Sequence, residues 1–308
     1  MVKPALPQLP YESWTQSRIT VHLILQIIGK TRLGLTARKN HWWFITIYVS
    51  SRGFSTFTIP IDGGINSLQI ELDVLKRAVI ITHSAKGEIK IDLVDGLTVA
   101  DFYHKFMGEL AVLDIHPKFK DKPYDMGIDK PFGQLEEYGE YDWEQIEKFW
   151  QLMQWNSSIF QEFSGRFYGK TSPAQIFWHH MDLAVTRFSG KKLAPMDKSA
   201  PISDRDTYSH EQISFGFWIG DDNVPEPAYY SYTYPSPDGI DQEPLAPGAA
   251  NWVDANGSPM ALLSYEDVRL SEDPRQTVLD FLESAYQAGA KLADWKIDEL
   301  ITPSLEDI

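Results

Sequence analysis

Phe177, Trp178, His179, His180, Met181 and Asp182 place two imidazoles, an indole and a carboxylate in one short run. Read as a strand, the run sends alternate side chains to opposite faces. His180, Asp182, Ala184 and Thr186 then share one face, and His179, Met181, Leu183 and Val185 the other. The first face is the more polar, and His180 and Asp182 have the spacing of a metal-ligating or proton-transfer pair. His210 and Glu211 stand just before the β-like run Ile213 to Ile219. If that strand pairs beside the first, His180, Asp182, His210 and Glu211 form a mixed cluster of the kind zinc or iron accepts. These four are the expected catalytic residues; the sequence names neither metal nor cofactor. The competing reading makes each histidine a hydrogen-bonded core or interface residue.

Ten Trp, 14 Tyr and 16 Phe make the chain unusually aromatic, which suits thick cores or a ring-lined pocket. Trp43, Trp178, His179, Arg187, Tyr208, Trp218 and Tyr234 are the expected ligand-lining residues. Arg32, Arg38, Arg52 and Arg187 stand near strand ends, where they either meet an anionic substrate or pair with carboxylates. Lys+Arg number 28 against 43 Asp+Glu, a net charge of −15, so nucleic acid and anionic membrane surfaces are expected to be repelled. With no cysteine, a metal must find His, Asp or Glu. The opening residues lack the pattern of a secretory signal, and the longest apolar stretch, Ile19 to Ile28, is too short for a bilayer, so a cytoplasmic protein is expected.

GKT occurs twice, as Gly29, Lys30, Thr31 and as Gly169, Lys170, Thr171. A phosphate loop needs a glycine five residues before GK and a helix after it. Ile24 and Ser164 occupy those positions, and helical patterns precede each GKT. The glycines therefore read as helix C′ residues, with the lysines beside the C-terminal dipole. No GxSxG, HExxH or GxGxxG pattern is present.

The elements that must position these residues repeat. A helical stretch from Tyr11 to Ile28, then GKT, then His41, Trp42, Trp43 leading into a strand, is matched by a stretch from Tyr141 to Tyr168, GKT, and Trp178, His179, His180. Aligned on the turn glycines Gly53 and Gly190, Trp43 takes the place of His180. Each half closes with a helix, Thr98 to Leu113 and Pro274 to Leu292, capped by Thr98 and Asp273. The strands of the first half are expected at Trp42 to Val49, Phe54 to Ile59, Leu68 to Leu72, Ala78 to Thr82 and Ile89 to Leu93, pairing antiparallel. Val224 to Asn256 reads as a Pro-rich insertion with the run Tyr229, Tyr230, Tyr232, Tyr234.

KNHWWFITIYVSSRGFST, GKTSPAQIFWHHMDLAVTRFSGKKLAP and DTYSHEQISFGFWIG resemble an uncharacterised, largely bacterial family catalogued as domain of unknown function 5996, and the likeness covers nearly the whole chain. It implies no reaction or cofactor. It directs attention to Trp43, Lys170, His179, Asp182, Arg187, Tyr208, His210 and Glu211.

The expected fold is α+β, two tandem diverged repeats, each a mainly antiparallel sheet flanked by helices: residues 1–114, a connecting arm 115–140, and an enlarged second repeat 141–308. The two sheets join or pack across a pseudo-twofold axis. The expected function is small-molecule binding, of a hydrolase-like or metal-dependent kind, at the second-repeat site. The alternative is a non-enzymatic interaction module using residues 224–247 as its contact surface.

Overall fold

The computed structural model describes residues 6–255 and 257–306. One 3-10 turn leads into α1 (Thr15–Leu35), followed by β1 (Tyr48–Val49), β2 (Gly53–Ser55), β3 (Ile59–Ile61), β4 (Asn66–Asp73), β5 (Ala78–His83), β6 (Gly87–Asp92) and α2 (Val99–Val112). Then come α3 (Trp143–Gly165), β7 (Gln175–Phe177), β8 (Asp182–Lys192), α4 (Ile202–Thr207), β9 (His210–Trp218), β10 (Ala228–Tyr234), β11 (Asn251–Ala255), β12 (Ser258–Ser264), α5 (Tyr265–Leu270) and α6 (Pro274–Leu292). The fold is α+β with two antiparallel sheets, β1-β2-β4-β5-β6 with β3 beside β4, and β7-β8-β9-β10-β12-β11. Each half contributes a long helix, six strands and a closing helix. The caps stand where the sequence puts them: Thr98 accepts from the Asp101 amide, and Asp273 from that of Gln276.

The sheets join at their edges. Ile47 and Ile176 exchange two backbone hydrogen bonds, of 3.1 and 2.7 Å, across short edge segments of each sheet. Thr46 Oγ1 donates to Gln175 Oε1 at 2.9 Å, and Trp178 Nε1 to the Ile45 carbonyl at 3.0 Å.

α1 is the central helix. Val21, Leu23, Ile24, Leu25, Ile27 and Ile28 cover its whole circumference and are all buried, the pattern of a helix with no solvent face. For this reason α1 continues through Gly29, Lys30 and Thr31 to Leu35 and does not end at Gly29 as a C′ residue. The second GKT does follow its helix, four residues beyond the end of α3, so the two motifs are not structurally equivalent.

Three other expectations change. Residues 41–46 are not strand, because His41 and Trp42 hold φ of 56° and 57°. Trp178 to Met181 form the turn between β7 and β8, so His180 and Asp182 do not alternate along one strand. Residues 224–256 are not a mere insertion: they supply β10, inside the second sheet, and β11, at its edge.

Gly29 explains how the central helix meets the turn after β7. A Cβ there would lie 2.1 to 2.4 Å from the Trp178 indole. Gly29→Ala improves helix propensity by about 1 kcal/mol, but overpacking a fixed indole costs about 1–3 kcal/mol or more. Clash should win: urea denaturation is expected to show a lower midpoint for Gly29→Ala, and an equal or higher one would contradict this packing.

Candidate functional site

Asp182 pairs in register near Trp218, whereas His210 begins β9 eight residues away, roughly 25 Å at strand rise. The four expected catalytic residues therefore lie in separate places. His180 is exposed on the β7–β8 turn, 2.9 Å from Asp125. Asp182 is buried on β8 against Tyr230. Glu211 accepts from Ser189 Oγ at 2.8 Å and lies 3.6 Å from Lys191. No three His, Asp or Glu among the described residues stand close enough to hold a metal ion, so the expected mixed cluster is not formed. Arg187 points to the opposite, helix-covered face of the sheet, where its guanidinium lies 3.5 Å from the Phe163 ring and donates to the Phe163 carbonyl. Trp178 is buried against α1, and His179 packs beside Tyr124, Phe177 and Trp178. Neither Arg187 nor Trp178 lines an open site.

His210 instead meets residues from the first half. Its ring lies 5.3 Å from that of His41, which stacks at 4.5 Å on Phe188 and 5.5 Å from Trp43. Lys170 completes the group. Residues 170–172 run antiparallel to β8, with the Phe188 amide donating to the Lys170 carbonyl at 3.0 Å. That register brings Lys170 Nζ to 2.8 Å from His41 Nε2 and over the Phe188 and Trp43 rings. The hydrogen bond fixes the roles: the ammonium donates to Nε2, so His41 carries its proton on Nδ1 and donates it to the Thr207 carbonyl at 3.2 Å.

His41 and Trp42 are consecutive non-glycine residues in the left-handed region, a costly backbone conformation that persists only when its surroundings enforce it. α4 and its flanks do so. Asp206 accepts from the Trp42 amide at 3.2 Å and from Arg38 at 2.7 Å, while Trp42 Nε1 donates to the Ser203 carbonyl at 3.0 Å. On β8 a bulge between Phe188 and Lys192, with Gly190 at φ 91°, sets Lys192 opposite His210.

From this cluster a tyrosine stripe runs back along the same face towards Asp182. Tyr234, Tyr208, Tyr232 and Tyr230 follow one another at ring separations of 4.3, 6.4 and 6.2 Å, and Trp218 lies 5.5 Å from Tyr230. All five are half-buried. Gly216 makes the far end possible: a Cβ there would fall 2.2 Å from the Tyr230 ring, so only glycine lets that phenol lean across β9. Tyr230 thereby donates to Asp182 Oδ2 at 2.5 Å, while Asp182 Oδ1 is buried without a partner among the described residues. Of the sequence-derived set, the face thus gathers Asp182, Trp218, Tyr208 and Tyr234, with His210 and Trp43 at its end. His41 and Lys170 were not in that set. By its position Lys170 reads as a cap residue, and only the family resemblance directs attention to it; the strained turn presenting His41 has no signature in residue types.

Burial lowers the pKa of His41 to about 4, with Lys170's charge adding to the effect, so His41 is neutral at pH 7. Burial, then Lys39, lowers that of Lys170; burial, then Lys170 and Lys192, lowers that of His210. Asp182 moves the other way, raised by burial and partly restrained by His180 and the Tyr230 hydrogen bond. Among the described residues Lys39, Lys170 and Lys192 have no carboxylate partner, although the chain carries a net charge of −15. The face is therefore cationic at one end and carries at the other a carboxyl whose pKa burial raises, hydrogen-bonded to a phenol.

A family model described as a family of unknown function, DUF5996, matches residues 6–302. No curated protein and no solved structure matches the chain. Among the described residues, no helix is long and apolar enough to cross a membrane.

His22 and His179 resemble His41 in being driven neutral by burial, to about 4 and about 3. Their folded values lie below the unfolded value near 6.5, so between these limits the unfolded chain binds protons that the native state does not. Stability is then full above about pH 6.5 and falls as pH drops towards 4, by up to about 2 kcal/mol per histidine at pH 5. Urea midpoints should fall from pH 8 to pH 5; a flat profile would contradict three desolvated, neutral imidazoles.

Proposed function

Since the chain belongs to this family of unknown function, which brings no reaction with it, we propose from its own geometry that the protein binds a small organic anion. The anionic group sits where Lys170, His210, Lys39 and Lys192 converge, and the body of the ligand lies along the tyrosine stripe. The observation carrying this reading is the Lys170–His41 contact. An ammonium is held by a neutral imidazole with no carboxylate beside it, which leaves positive charge available on an acidic molecule. An anion there gains charge-assisted hydrogen bonds from Lys170 and His210, while the half-buried tyrosines offer ring faces and hydroxyls. Nucleic acid is disfavoured as the ligand by the overall charge.

A hydrolase-like activity would draw on the same face, through the Asp182–Tyr230 pair as a proton donor and Lys170–His41 as a charged seat. We also read the common order of elements in the two halves as a duplication, residues 1–114 and 141–308 joined by the arm 115–140, with the second unit supplying most of the site and the first supplying Lys39, His41 and Trp43.

The test is native mass spectrometry of the protein as purified, followed by thermal-shift screening of ring-bearing carboxylates and phosphates. Wild-type protein should retain or bind such an anion. Lys170→Met and His210→Ala should weaken it roughly 10- to 100-fold, the range for losing one hydrogen bond to a charged group. Undiminished binding by both variants would remove the site.

A further inference from the structure

A second lysine, Lys30 of the first GKT, is buried without an ion pair. It lies on α1 with 6 % of its surface exposed, and the one polar atom within hydrogen-bond range among the described residues is the Lys120 carbonyl, at a long 3.4 Å. Its Nζ also lies 5.6 Å from the Trp178 ring. Where Lys30 reaches the connecting arm there is a cavity of about 350 Å³, lined by Lys30, Lys120, Lys122, Tyr124, Met126 and Ile128 among others. The arm is fastened beside it by a reciprocal pair: Gln26 Nε2 donates to the Tyr124 carbonyl at 2.9 Å and the Tyr124 amide to Gln26 Oε1 at 2.8 Å. Of the nearby carboxylates, Asp129 is engaged by Lys122 and Asp125 by His180, while Asp121 acts on Lys30 only through its charge. Lys120 has no carboxylate partner among the described residues.

A buried ammonium with neither an ion pair nor water-like hydrogen bonding is poorly solvated, which raises the share of its neutral, nucleophilic amine. We propose that this cavity takes a small aldehyde or ketone bearing an anionic group, and that Lys30 Nζ condenses with the carbonyl to form a reversible imine. In that step the amine lone pair forms the C–N bond and the carbonyl oxygen is protonated. Both amine protons leave with that oxygen as water when the C=N bond closes, so no oxidant or reductant is needed. Lys120 supplies the countercharge for the anionic group, and Met126 and Ile128 the apolar wall. The Lys30 pKa is lowered to about 8, first by burial and then by Lys120, with Lys122 adding and Asp121 opposing. Lys120, Asp121, Lys122, Asp125, Asp129 and His180 are the charged or titratable groups on the arm and the β7–β8 turn around it.

The proposal is independent of the anion site at Lys170, and pyridoxal phosphate is a probe that separates the two. One equivalent is added to the full chain, the imine is reduced with borohydride, and the adducts are mapped by peptide mass spectrometry. Lys30 should carry most of the label, with a labelling rate that rises through about pH 8. Lys30→Met should lose that adduct and at least tenfold of total labelling, and Lys120→Met should slow it several-fold. Mapping of the wild-type protein decides the matter even if Lys30→Met folds poorly. An unlabelled Lys30, with adducts on Lys170 or scattered over exposed lysines, would overturn the proposal, and an unchanged rate in Lys120→Met would overturn its anionic half.

Discussion

Two backbone hydrogen bonds between Ile47 and Ile176 fix the relation of everything else in the molecule. An exposed sheet edge invites pairing with other chains, and here the inner edge of each sheet is closed by the other. Because the join is a β-bridge, it sets register as well as proximity. The bridge is antiparallel, so Ile45, before Ile47, lies beside Trp178, after Ile176, and His41, in the left-handed turn that precedes it, meets Lys170 beside the end of β8. The candidate site is a consequence of that join: neither half contains it alone.

The same join governs the burial pattern. With both sheets edge to edge, α1 lies in the middle of the protein and must be apolar on every side, and the turn after β7 must approach it closely. Gly29 admits the Trp178 indole, and His22 Nε2 donates to the Trp178 and His179 carbonyls, at 2.9 and 3.1 Å. Polar groups caught in this region are kept neutral or singly bonded, which is how an acidic protein comes to hold histidines far below their ordinary pKa and a lysine without a counterion. Strain at His41 and Trp42 is held by α4 and paid for by contacts that exist only when the two halves are docked.

Periodicity made the long helices, the antiparallel strands and both capped closing helices legible, because amphipathic stripes and cap residues are local. The site was legible only in pieces. Asp182, Tyr208, His210, Trp218 and Tyr234 carry chemistry visible in their types, and β9 does pair beside β8. The error lay in register: a turn at 178–181, not a strand, removes His180 from Asp182, and pairing of Leu183 with Phe217 sends His210 to the far end. Arg187 was misplaced for a related reason, since its neighbour Thr186 faces the tyrosines and Arg187 must face the helices. The meeting of Lys170 with His41 was hidden because it depends on a long-range bridge and on left-handed φ values at residues that rarely adopt them.

The central claim, an anion seat assembled from both halves, is tested most directly by histidine-selective NMR during titration with inorganic phosphate. The account predicts that His41 starts neutral with its proton on Nδ1, and that phosphate shifts the His210 and His41 signals together while those of His104 and His116 stay still. In Lys170→Met both responses should be lost. Shifts spread evenly over the exposed histidines, or a protonated His41 at neutral pH before any phosphate is added, would contradict it.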